Sequence, residues 1–91
     1  MDNSALLSSL EIALRKSKDI PGIYMFKFII PNENEKRAKV MALFDDTSNV
    51  LFKESSNNKY VSITSKEVML TVEDIIEKYK LALQIEGLMI L

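Results

Sequence analysis

Apolar positions change period several times along this chain, and each change marks an element. Over residues 4–16, Leu6, Leu10 and Leu14, with Leu7 and Ala13, recur at helical spacing, as they do when one helix face is buried. Glu11 and Arg15 stand four apart on the outer face, the spacing of an exposed ion pair. Pro21-Gly22 breaks the pattern. The run "IYMFKFII", Ile23 to Ile30, is β-branched and aromatic and predicts a strand. Pro31-Asn32 ends it. Asn32 and Glu35 have capping-box spacing, so a second helix is expected to start there. It would turn Val40, Leu43 and Phe44 inward and pair Glu33 with Arg37 and Glu35 with Lys39 on a solvated face.

After "DDTSN", the runs "VLFKE" and "KYVSITS" read as two strands joined by Ser55-Ser56-Asn57-Asn58. Asparagine tolerates the left-handed backbone such turns need. The alternation slips beyond Ser65: Val61 and Ile63 are on one parity, Val68 and Leu70 on the other. A bulge or an end of pairing is therefore expected between Ser65 and Val68. Thr71, three residues before Asp74, is placed to cap a last helix. Val72, Ile76, Tyr79 and Leu83 form its inward stripe, and "IEGLMIL" closes the chain as a strand.

The order is one helix followed by β-α-β-β-α-β, which predicts an α+β fold. The expected architecture is a ferredoxin-like (ACT-like) βαββαβ sandwich. It has a four-stranded antiparallel sheet, the first and third strands central, and two helices on one face. Residues 1–20 form an N-terminal helical extension and 21–91 the ferredoxin-like domain. Strand alternation sets Phe26, Phe28, Phe52, Val61 and Ile63 against the helices, with Val40, Phe44, Ile76 and Tyr79 completing the core. The opposite face displays Met25, Lys27, Ile29, Lys53, Ser55, Tyr60, Ser62 and Thr64.

The residues "YMFKF" on the first strand, "FKESSNNKYVSIT" on the hairpin and the ending "TVEDIIEKYKLALQIEGLMIL" resemble the YbeD-like family, a family of unknown function. The resemblance covers about residues 21–91 and is most specific at the hairpin. There Lys53, Ser55, Ser56 and Tyr60 stand in the family's Lys-x-Ser-Ser and Tyr positions. Asn58 replaces the glycine many members carry in the turn. The resemblance implies an ACT-like fold and no established enzymatic activity. Names of some members suggest lipoate-linked regulation, for which this sequence has no binding feature.

Composition narrows the chemistry. The chain has 91 residues, 47% of them apolar, and contains no His, Cys or Trp. Without His and Cys it has no Ser-His-Asp or Cys-His nucleophile, no common zinc ligand set and no disulfide. There is no GxGxxG, P-loop or EF-hand loop, and no cofactor is implied. Asp45-Asp46 suits a turn, and Glu73-Asp74 suits the first turn of a helix, where the dipole stabilises negative charge. Lys+Arg is 12 against Asp+Glu 13, a net charge of −1. A nucleic-acid-binding module of this fold carries a basic excess and aromatics on its first and third strands; Tyr60 alone is a poor stacking platform. The N-terminus lacks the basic and apolar regions of a secretory signal, and no apolar run approaches the ~18 residues of a membrane span. The expected location is the cytoplasm.

The expectation for function is a small, non-enzymatic regulatory or interaction module. Its partner would be a second copy, another protein or a small acidic metabolite, bound through the open sheet face; the alternative is a nucleic-acid-associated module. Lys27, Lys53, Ser55, Tyr60 and Ser62 are the candidate ligand-binding residues, since ammonium groups and hydroxyls together suit an anion. Alternatively the helix at 4–16 or a second copy covers this face and buries Met25 and Ile29.

Overall fold

The computed structural model describes residues 3–45 and 49–91. Asp46, half of the Asp45-Asp46 pair, lies outside the described residues. In chain order the elements are α1 (Ser4–Lys16), β1 (Gly22–Pro31), α2 (Asn34–Met41), β2 (Val50–Glu54), β3 (Tyr60–Met69), α3 (Val72–Ala82) and β4 (Met89–Ile90). Among the described residues the fold is α+β: a four-stranded sheet in the order β2-β3-β1-β4, every neighbouring pair antiparallel, with three helices.

Strand alternation puts one face of the sheet in the core. Phe26, Phe28 and Ile30 of β1 and Val61 and Ile63 of β3 are buried, together with Val40, Phe44, Ile75, Ile76 and Tyr79. Their rings interlock: the Phe26 centroid lies 5.3 Å from Tyr79 and 5.8 Å from Phe44, and Phe28 lies 5.9 Å from Tyr79, within the range of favourable aromatic pairs. Phe52, expected in this core, is half-buried near the edge under the Arg37 guanidinium, 5.3 Å above its ring.

Thr71 caps α3 as its spacing predicts, its hydroxyl accepting from the Asp74 N–H at 3.0 Å. The inward stripe of α3 is broader than expected: Ile75 and Ala82 are buried, while Val72 and Leu83 are only partly so. That breadth lets α3 meet two partners, the sheet on one side and α1 on the other. Leu14 joins the core, and Leu7 and Leu10 pack against it, leaving Leu6 and Ala13 exposed. Arg15 ties the two helices, donating to Glu11 at 3.0 Å within α1 and to Glu73 at 2.8 Å on α3. So α1 lies in the helical layer and does not cover Met25 and Ile29.

Further expectations are corrected. Asn32 does not cap α2; Glu33 holds the cap position, with no side-chain cap bond. The Asn32 side chain is committed to the hairpin, donating to the Asn58 carbonyl at 3.0 Å and accepting from Arg37 Nε at 2.9 Å. Arg37 correspondingly reaches across to Glu54 at 2.9 Å instead of pairing with Glu33, which meets Lys36 at 3.3 Å; Glu35 and Lys39 do pair, at 3.0 Å. The closing strand is short, because Ile85 and Leu88 are buried in turns whose N–H groups donate to Ala82 and Ile85 carbonyls. Gly87 sits there at φ +85°, where a Cβ would also come within 2.8 Å of Pro31, so only glycine fits without strain.

The last correction bears on function. β3 has no bulge: its pairing with β1 is continuous from Tyr60↔Pro31 to Met69↔Gly22. The parity never slips: Ser65 and Glu67 take the inward positions after Ile63, and Met69 is buried beyond them. Ser65 is fully buried with its hydroxyl unpaired among the described residues. Glu67 is held by Lys78 Nζ at 2.6 Å, and that ammonium also lies 5.1 Å over the Phe44 ring, a favourable cation–π geometry. Val68 is exposed on the far face.

Candidate functional site: the open sheet face

The face turned away from the helices is built by alternate residues of all four strands. Registered pairs set its rows: Ile23 beside Val68; Met25 beside Lys66; Lys27 beside Thr64 and Leu51; Ile29 beside Ser62, Lys53 and Met89. Ile23, Leu51 and Val68 are each about 70% exposed, and Met25 and Met89 about half. Large apolar side chains are thus concentrated on this face without a cover among the described residues.

The hairpin forms one end of it. Asn58 adopts φ +59°, a left-handed conformation asparagine tolerates. The Ser55 N–H donates to the Tyr60 carbonyl at 2.9 Å and the Asn58 N–H to the Ser55 carbonyl at 3.0 Å. The Ser55 hydroxyl donates to Asn57 Oδ1 at 2.9 Å and accepts from the Tyr60 N–H at 3.1 Å, and Ser62 Oγ donates to the Lys53 carbonyl at 3.3 Å. These hydroxyls fix the turn and the β2–β3 register. Lys53 Nζ and the Tyr60 hydroxyl make no hydrogen bond among the described residues and are the polar groups left for a ligand.

Ile29, Lys53, Glu54, Ser55, Tyr60 and Ser62 line an open concavity of about 320 Å³. It gathers four of the five candidate residues. Lys27 is not among its lining: it lies one strand further in and one row along, about 10 Å across the sheet from the Lys53 strand. Its nearer cationic neighbour is Lys66. Because Lys27 pairs with Thr64, Lys66 is its diagonal cross-strand neighbour, about 7–8 Å away. The run "KYVSITS" ends at Ser65, one residue short of Lys66, so the apolar pattern alone does not place Lys66 on this face. Carrying the Tyr60, Ser62, Thr64 parity one step further would have found it.

The face is basic by segregation. None of the outward-facing positions in its rows, nor Tyr60, is Asp or Glu, although Glu54 borders the concavity at the hairpin. The acidic residues at the strand positions of opposite parity, Glu54 and Glu67, are tied to Arg37 and Lys78. The perturbed groups lie elsewhere. Burial and the 2.8 Å bond to the Tyr24 hydroxyl push the Tyr79 phenol far above its ordinary value. The hydrogen bond between Arg15 and Glu73 raises the guanidinium and lowers the carboxyl. Among the described residues no group of three or more His, Cys, Asp or Glu could hold a metal, and no helix is long and apolar enough to cross a membrane. No protein-family model matches the chain, and comparison with curated proteins and with solved structures finds no match.

Proposed function

We propose that the chain is a non-enzymatic interaction module of ferredoxin-like (ACT-like) fold that binds a protein partner through its open sheet face. The β-α-β-β-α-β order with β3 and β1 central supports the fold reading, as does the likeness to the YbeD-like family at the hairpin. The observation that carries the function is the exposure of Ile23, Met25, Leu51, Val68 and Met89 on one sheet face, since an uncovered apolar patch of this kind marks an interaction surface. The lack of His and Cys removes the usual nucleophile–base pairs and supports a binding role. A second reading, a small carboxylate held by Lys53 and Tyr60, rests on the concavity at the hairpin.

Capture from a host lysate tests the first reading. Leu51→Asp with Val68→Asp alters two exposed positions, so the variant should fold with a thermal midpoint close to wild type and lose the captured proteins. A folded variant that captures the same set would overturn it. Equilibrium dialysis against small carboxylates, with Lys53→Ala as control, tests the second.

A further inference from the structure

The open face combines two properties that together specify its occupant. Its apolar side chains, Ile23, Met25, Leu51, Val68 and Met89, are interspersed with Lys27, Lys53 and Lys66, one lysine on each of three strands. Its outward-facing strand positions carry no carboxylate, although the whole chain has net charge −1, and Glu54, which borders the concavity at the hairpin, is tied to Arg37. On the strands, charge is thus sorted by parity: Lys27, Lys53 and Lys66 take outward positions on the uncovered face, whereas Glu54 and Glu67 take positions of opposite parity and are tied to Arg37 and Lys78. The three ammonium groups make no hydrogen bond or ion pair among the described residues.

We infer that this face docks an acidic amphipathic segment of another protein, in which apolar residues are flanked by Asp or Glu. This rests on the interaction-module reading above and adds the partner's chemistry. A second copy meeting the face by a two-fold axis is self-complementary by definition, and would bring lysine-bearing surface onto lysine-bearing surface, with the bordering Glu54 already tied to Arg37. A single nucleic-acid strand needs stacking rings, and among the described residues Tyr60 is the only aromatic on the face. Acidic side chains match the lysines, while apolar ones fill the rows between them. From Ile23 to Ile29 the central strand runs about 20 Å at the usual rise per residue, the length of a helix of about 13 residues. A single amphipathic helix is therefore long enough to cover the face.

The probe is a fluorescein-labelled peptide of about 15 residues with leucines at i, i+3, i+4 and i+7 and glutamates flanking them. Its twin carries lysine at every glutamate. Fluorescence anisotropy should show the acidic peptide bound by wild type, with affinity falling as salt rises. Lys53→Glu with Lys66→Glu changes exposed, unpaired side chains, and its fold is checked by circular dichroism. It should weaken the acidic peptide at least about tenfold and favour the lysine twin. Equal binding of the twins, or binding of neither, overturns the inference. So does tighter binding of a single-stranded oligonucleotide or of anionic vesicles, or a dimer in sedimentation at the assay concentration. The lysate capture by the Leu51→Asp, Val68→Asp variant decides the module reading separately. Loss of capture there, together with equal binding of the twins, would keep the module and reject an acidic partner.

Discussion

Phe28 is fully buried and contacts Phe26, Phe44 and Tyr79 in one ring cluster. Phe28→Ala would empty the centre of that cluster, and should cost ~3–5 kcal/mol, much of a small domain's stability. Chemical denaturation checks it, and a midpoint within error of wild type would show that the ring is not at the centre of the core. Ser65 behaves in the opposite sense. Its hydroxyl is fully buried and unpaired among the described residues, and an unsatisfied buried group costs ~1–3 kcal/mol. Ser65→Ala deletes the hydroxyl at almost constant shape, so the thermal midpoint should rise or hold. A clear fall would reveal a partner for that oxygen. Both predictions follow from parity: Phe28 could be assigned from its strand pattern alone, whereas Ser65 was assigned to the core only by the continuous register of β3.

Local chemistry decided some elements and tertiary contacts others. Thr71 and Asn32 carry similar N-cap signals, but only Thr71 caps a helix. No competing bond involves the Thr71 hydroxyl, while Asn32 is drawn off by Asn58 and Arg37. Thr71→Ala should therefore cost ~1 kcal/mol, visible as a lower thermal midpoint. Asn32→Ala should not shorten α2, and its effect should appear instead as faster amide exchange at the hairpin. An equal loss of α2 helicity in Asn32→Ala would contradict this. β3 illustrates the same contrast. A hydrophobicity-only reading broke it at Ser65, because it could not anticipate that Lys78, thirteen residues beyond Ser65, would neutralise Glu67 on the inward face.

Across the whole molecule, Arg15 and Glu73, 58 residues apart in sequence, link α1 to α3. The hydrogen bond from Arg15 holds the Glu73 carboxyl below its ordinary value of 4.5. A carboxyl whose folded pKa is depressed contributes stability above its unfolded pKa and loses it as pH falls through the folded value. Docking of α1 should accordingly loosen below about pH 4.5, modestly because the pair is solvent-exposed. Amide exchange of α1 should quicken on acidification in wild type and change less in Glu73→Gln. The same acid response in both would assign the effect to other carboxylates.

Period and turn chemistry, both local, determined the helices, the first strand, the Thr71 cap, the hairpin and the side of the sheet that carries the phenylalanines. They also placed Lys53, Ser55, Tyr60 and Ser62 at one hairpin, because residues close in sequence on either side of a tight turn must be close in space. Tertiary structure decided what local patterns do not encode. α1 went to α3, not to the sheet, because α3 presents apolar residues on two sides. Ser55 and Ser62 became turn braces through backbone bonds that depend on register. Lys27 gained Lys66 as its neighbour, since strands adjacent in the sheet need not be adjacent in sequence, and pairing alone sets which side chains meet.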